Sequence, residues 1–427
     1  MQRDYLSLSR EELLAEKESL QKKYEEYKAM SLSLNMTRGI PCREQVDLSE
    51  DMLHVIDSGD KCISGKTDIR NYGMLDGIPE MKQIFADLLH TLPENVICGG
   101  NSSLNMMYDT IARAMIFGTA PGFTPWGKQK EIKFLCPVPG YDRHFAITEI
   151  FGIQMIPIDT TDSGPDMDQV REYVENDPAV KGIWCVPKYS NPSGIVYSND
   201  TVRAFAALKP AAKDFRIFWD NAYAVHDLYD EVKVLDIFAE CRKRGVENRV
   251  YEFASTSKIS YPGSGVACLV ADDEDILWAK KLIAFQTIGP DKINQKRHAA
   301  FFKDANGIIE HMKKHAEILR PKFEAVVDTL ETELGDLGIC QFTKPRGGYF
   351  ISFDLLVGSA RYALNLTHDA GVSMTPAGST FPYHNDPYDR NIRIAPTFPS
   401  VADLKTAATL FSVCVRLAAV ERLLGLN

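Results

Sequence analysis

The stretch STSKISYPGSG, residues 255–265, sets one long amine, Lys258, among small hydroxyl side chains and a Pro-Gly turn. An exposed lysine there is a solvated charge; an enclosed one can act as an amine nucleophile. A free lysine has a pKa of ~10.4, so the second use needs surroundings that lower its proton affinity. Other reactive groups stand just after apolar runs. Asp220 ends FRIFWD, with Tyr223 three residues on. A carboxylate closing an apolar run is costly unless a cation or a hydrogen-bond donor meets it. Asn191, in Asn-Pro-Ser-Gly, follows GIWCVPKYS, and Tyr141 follows FLCPVPG. An amide and an aromatic face delivered at strand ends can hold a planar ring, although a turn and a half-buried tyrosine would read the same way.

A fifth group follows NVICGG. Asn101, Ser102 and Ser103 open an apolar-periodic run after Gly99 and Gly100. Free amides and hydroxyls at a helix start suit a phosphate, and they also make a plain N-cap. No Gly-Lys-Ser/Thr follows, so this is not a Walker loop.

The elements that must carry these groups alternate. NVICGG, EIKFLCPV, IQMIPID, VKGIWCVP, FRIFWD, RVYEFA and VACLVAD read as strands, and most are apolar throughout. Helical patterns at 167–176, 199–209 and 274–286 lie between several of them. This predicts an α/β fold: a largely parallel sheet of about seven strands sandwiched by helices. In such a sheet ligands bind beyond the carboxyl ends of the strands. A long helical stretch over 291–335, strands ICQFTKP, GYFISFDL and NIRIAP, and a terminal helix over 400–424 predict a smaller α+β domain. Ser9 and Glu12 form a capping box for a helix over 9–30, with Leu13, Leu14, Leu20 and Tyr24 as its apolar stripe. The expected division is 1–50 packing on the small domain, 51–300 as the large domain, and 301–427 as the small one.

The net charge of −10 predicts no nucleic-acid face. The nine cysteines lack CxxC spacing and sit mostly in apolar runs, so they predict neither a disulfide frame nor a metal site. The N-terminus lacks an apolar signal region, and no apolar stretch reaches the length of a membrane span. A cytoplasmic protein is expected.

The phosphate turn, Tyr141, Asn-Pro-Ser-Gly, Asp-Asn-Ala-Tyr, Ser-Thr-Ser-Lys and a late arginine stand in one order. That order resembles the fold-type I pyridoxal-phosphate-dependent aminotransferases of class I/II, over about residues 33–415. SLNMTRGIP, NYGMLDGIPEMK and STSKISYPGSGVA resemble the bacterial aspartate aminotransferase subgroup once grouped with MocR-like proteins. Only about 30 residues precede the first motif, so the regulators' DNA-binding domain is not expected.

The resemblance implies the cofactor pyridoxal 5′-phosphate, joined to Lys258 as a Schiff base, with Lys258 then acting as base and acid. By the same resemblance Asp220 meets the pyridine nitrogen and Asn191 and Tyr223 hold the ring 3′-oxygen. Tyr141 stacks on the ring, and Asn101, Ser102, Ser103, Ser255 and Ser257 hold the phosphate. Tyr72 would reach the phosphate of a second subunit, which implies a homodimer with shared sites. Gly39 and Arg393 would bind the substrate α-carboxylate. Relatives carry a phosphate-binding arginine where this chain has Ser264 and Gly265, and Lys292 is the expected substitute.

The resemblance favours L-aspartate and 2-oxoglutarate in a ping-pong exchange. A second substrate carboxylate calls for a second cation: Arg38, with Lys188 and Arg346 as alternatives. Another amino acid, a pyridoxal-phosphate lyase and a non-enzymatic ligand-sensing module are the alternative functions. No GxGxxG joins a first strand to a helix, so a dinucleotide enzyme is not expected.

Overall fold

The computed structural model describes residues 4–426. Its main sheet comprises β1 Val96–Cys98, β2 Lys133–Val138, β3 Gln154–Thr161, β4 Gly164–Pro165, β5 Val180–Cys185, β6 Arg216–Asp220, β7 Val250–Ser255 and β8 Ala267–Val270. The spatial order is β1-β8-β7-β6-β5-β2-β3-β4. Strands β7, β6, β5, β2 and β3 are parallel. The largely parallel sheet is therefore as expected, with β4 an added two-residue edge. Two strands depart from the rule: the edge strand β4 runs antiparallel to β3, and β8 runs antiparallel to both its neighbours. For β8 the reason is chain length. A parallel return needs a crossover of a dozen residues or more, usually a helix, and the link 256–266 contains none.

Successive strand residues face opposite sides of a sheet. Ile97, Phe134, Trp184, Phe218 and Phe253 fill one core. Leu135, Ile183, Ile217, Trp219 and Ala254 fill the core on the other face. With both faces covered, polar alternation is lost, which is why these strands read as continuous apolar runs. Each large buried side chain contributes about 1.5–3 kcal/mol.

The helices that matter for the site are α1 Arg10–Ala29, α2 Ser103–Phe117, α3 Asp142–Ile150, α4 Lys292–Phe302, α5 Ala305–Leu334 and α6 Val401–Leu424. The capping box of Ser9 and Glu12 starts α1. Its apolar stripe is narrower than the sequence suggested. Leu13, Leu20 and Tyr24 are buried, but Leu14 is 46% exposed. One residue turns a helix by about 100°, so Leu14 leaves the face that Leu13 occupies. The expected single helical stretch over 291–335 is two helices. Lys303 has a φ of 69°, and the Asp304 side chain accepts from the Gly307 amide at 2.8 Å to start α5 afresh.

A third core joins α1, α5 and α6 to an antiparallel sheet of β9 Cys340–Phe342, β10 Ile351–Leu355 and β11 Asn391–Ile394. Residues Leu34–Met36 pair in parallel with Val372–Met374. Lys17 of α1 and Glu421 of α6 form an ion pair at 2.9 Å. The nine cysteines are free; all are buried except Cys340, which is partly exposed. No helix among the described residues is long and apolar enough to cross a membrane.

Close packing at the sheet centre gives a test. A Cβ on Gly182 of β5 would stand 2.3 Å from Phe134 Cζ of β2. Gly182→Ala should cost about 1–3 kcal/mol by overpacking, read as a lower urea midpoint. Adding Phe134→Leu should recover part of that loss.

Candidate active site

The parallel strands deliver their following residues to one edge. Across β7, β6, β5 and β2 these are Lys258, Asp220, Asn191 and Tyr141, in that spatial order. Beside them, β1 leads into Gly99–Ser102 and the amino end of α2. Gly100 has a φ of 67°, a conformation that side chains resist. Ser102 caps α2 by accepting from the Asn105 amide at 3.4 Å.

The hydroxyls around Lys258 divide into two sets. Thr256 and Ser260 are buried and hold the loop. Thr256 Oγ1 accepts from the Val266 amide at 2.9 Å, and Ser260 Oγ meets His298 Nε2 at 2.8 Å. Ser255 and Ser257 turn toward the β1–α2 segment. Ser255 donates to Ser257 at 3.1 Å, and Ser257 donates to the Asn101 carbonyl at 2.7 Å. Gly265 closes this concavity: a Cβ there would meet Asn101 O at 2.7 Å and Ser257 N at 3.0 Å. Asn101, Ser255, Ser257 and the start of α2 are therefore brought together.

Asp220 is 2% exposed. Its Oδ2 meets His144 Nε2 at 2.9 Å. Its Oδ1 has no hydrogen-bond partner among the described residues. A buried oxygen of this kind calls for a donor. His144, which sequence reasoning missed, is held by a flat stack on Trp184, 4.4 Å between ring centres. Trp184 in turn donates to Thr148 at 2.8 Å. His144 lies three residues after Tyr141 in PGYDRHF, and the Tyr141 ring meets it edge-on at 4.9 Å.

Lys258 Nζ stands 5.1 Å from the Tyr223 ring centre and 5.8 Å from that of Tyr349. Burial lowers its pKa, and Arg393 pushes it the same way, while Asp220 opposes. Burial also holds the Tyr223 phenol well above its usual range. The amine is thus easier to deprotonate than a free lysine, as a nucleophile requires.

Arg393 on β11 is 7% exposed. Its Nη1 donates to Asp142 at 2.7 Å and to Asn191 Oδ1 at 3.3 Å. Its Nε is buried and has no partner among the described residues. The guanidinium lies 4.9 Å from the Phe350 ring centre. Gly39 lies against that ring's other atoms: a Cβ there would stand 2.5 Å from Phe350 Cζ. Arg393, Asn191 and Gly39 therefore belong to one corner. Asp142 was legible only as part of the quoted PGYDRHF, with no signal that it would meet a distant arginine.

The remaining candidates differ in burial and in what engages them. Lys188 is buried and engaged by Asp227 at 2.9 Å and the Ala224 carbonyl at 2.8 Å. Arg346 is exposed and faces Asp230 at 3.5 Å. Arg38 is exposed, and Tyr72 is 77% exposed. Lys292 is buried, with its Nζ beside Gly289. The cation on Ser264 is instead Arg297, whose Nη2 donates to Ser264 Oγ at 3.2 Å and to Asn294 Oδ1 at 2.7 Å.

A family model described as aspartate amino-transferase matches residues 8–427. An aspartate aminotransferase of Corynebacterium glutamicum is 45% identical over 405 residues, covering 95% of this chain and 94% of that protein. The crystal structure of an aspartate transaminase from the same organism superposes with a TM-score of 0.96 at 43% identity, covering 98% of this chain and 99% of that one. An α-aminoadipate aminotransferase of Thermus thermophilus, complexed with N-(5′-phosphopyridoxyl)-L-leucine, shares the fold with a TM-score of 0.73 at 18% identity, covering 99% and 97% of the two chains. With a match over nearly its whole length, this chain belongs to the aspartate aminotransferase family.

Proposed function

We propose that this aminotransferase moves the amino group of L-aspartate to 2-oxoglutarate in two half-reactions, with pyridoxal 5′-phosphate as its cofactor. The observation that carries the reading is the buried Asp220 carboxylate, fixed by His144 on one oxygen and free on the other, within a site that also holds Lys258. When bound, the cofactor supplies a conjugated ring that takes up the electron pair of a broken Cα–H bond. Asp220 Oδ1 would accept from the pyridine nitrogen. Asn191 and Tyr223 would hold the ring 3′-oxygen, and Tyr141 would cover one ring face. Asn101, Ser102, Ser103, Ser255 and Ser257 would hold the phosphate at the amino end of α2. Arg297 is the cation that the geometry offers near Ser264. Lys292 and Tyr72 would serve the phosphate from a second subunit of a homodimer.

Lys258 would take the Cα proton of the amino acid as a base and then, as an acid, give a proton to a different carbon to complete the transfer. Arg393 grips the α-carboxylate with its planar fork, beside Gly39. Asp142 occupies part of that fork. Arg38 would meet the second carboxylate of an acidic substrate, since Lys188 and Arg346 face other carboxylates.

The direct test is steady-state transfer from L-aspartate to 2-oxoglutarate, with L-alanine and an aromatic amino acid as competing donors. L-Aspartate should be the best donor, and Lys258→Ala should lower kcat by ~10²–10⁴ or more. A better rate with either competitor would reject the acidic preference and leave amino transfer standing.

Asp142→Asn should lower KM for the amino acid about fivefold, because a competing carboxylate worth about 1 kcal/mol leaves the Arg393 fork. An unchanged or higher KM would reject Asp142 as a competitor.

The lysine also predicts a pH effect. Arg393 lowers the Lys258 pKa. Removing that cation in Arg393→Gln should therefore raise it, so the neutral amine appears only at higher pH. The acid limb of pyridoxal-phosphate uptake by apoprotein, followed by absorbance, should move to higher pH in that variant. A limb that stays or moves down would contradict the assignment.

A further inference from the structure

A cavity of about 740 Å³ opens between α5 and the segment that follows Tyr223. It lies apart from Lys258, Asn191 and Arg393, none of which lines it. Its size falls within the usual range of small-molecule sites, roughly 300–1,000 Å³. Trp219 and Glu252 line it and stand opposite each other in register on β6 and β7. Much of the wall is apolar, with Leu88, Val225, Leu235, Ile309 and Met312.

Glu252 is the exception. It is a carboxyl in mid-strand, 4% exposed, where neighbouring strand residues are apolar. Its Oε1 accepts from Asn221 Nδ2 at 2.9 Å, and no other hydrogen bond to the carboxyl forms among the described residues. Burial, with Asp236 adding to it, pushes its pKa up to about 8. Near neutral pH the group is therefore a carboxylic acid, offering one O–H donor beside one accepting oxygen. The cations around the cavity already have partners. Lys188 is paired with Asp227, Arg320 Nε donates to the Leu228 carbonyl, Lys313 is paired with Glu310, and Lys233 faces Glu231 at 3.8 Å. Carboxylates outnumber cations along the lining, so an amino-acid or oxo-acid carboxylate would be repelled.

We propose that this cavity is a second small-molecule site for a flat aromatic base of amidine type, such as an aminopyridine or adenine-like ring. The ring nitrogen and adjacent amino group would meet the Glu252 carboxyl, and the ring would lie among Trp219, Leu235 and Met312. The pairing is complementary: the ring nitrogen accepts where the acid donates, and the amino group donates where the acid accepts.

The test is calorimetric titration of the holoprotein with 2-aminoquinoline at neutral pH, with quinoline and quinoline-2-carboxylate in parallel. The expected result is one saturable site per chain for 2-aminoquinoline, with the cofactor absorbance unchanged. Both comparison compounds should bind at least tenfold more weakly. Glu252→Met and the cavity-filling Met312→Trp should each weaken the binding at least tenfold. The proposal is overturned by no saturable binding, by equal binding of the comparison compounds, by binding that alters the cofactor band, or by binding that both variants retain. The three-compound comparison on the unaltered protein decides the matter even if a variant fails to fold.

Discussion

The site is organised around one buried carboxylate. Asp220 closes β6 at 2% exposure, in surroundings where an unpaired charge is costly. One of its oxygens is met by His144, and the other has no partner among the described residues. His144 can serve because α3 starts where β2 ends, and Trp184 from β5 fixes its ring plane. Three neighbouring strands of the parallel sheet thus combine to hold one oxygen in a hydrogen bond and leave the other without one among the described residues.

The same geometry explains why the site was legible in sequence. In a parallel sheet, residues far apart in the chain return to one edge, so Tyr141, Asn191, Asp220 and Lys258 could be found just past the ends of the apolar runs. The apolar runs were legible because both sheet faces are covered. Pairing across distance stayed hidden. His144 and Asp142 were visible letters in PGYDRHF, but nothing local says that one meets Asp220 and the other Arg393. The reversal of β8 and the break before α5 were also unread. The first depends on the length and helix content of a link, and the second on an Asp304 cap after a left-handed Lys303. Leu14 was misplaced because adjacent leucines cannot share one helix face.

The small hydroxyls around Lys258 serve two purposes. Thr256 and Ser260 anchor the loop to β8 and α4, so the lysine has a fixed root. Ser255 and Ser257 line the concavity closed by Gly265. A rigid root matters for the proposed role, because a proton carrier must reach in turn the atom it deprotonates and the different atom it protonates. The amine stands near the Tyr223 and Tyr349 rings; its burial lowers its proton affinity, Arg393 adds to that lowering, and Asp220 opposes it.

The most direct measurement is the visible absorbance of the purified protein supplied with pyridoxal phosphate, before and after L-aspartate, and again after 2-oxoglutarate. A band that bleaches with L-aspartate and returns with 2-oxoglutarate is the predicted result, with borohydride reduction fixing the pyridoxyl group on Lys258. No band after the cofactor is supplied, or a pyridoxyl group fixed on another lysine, would contradict the account at its centre.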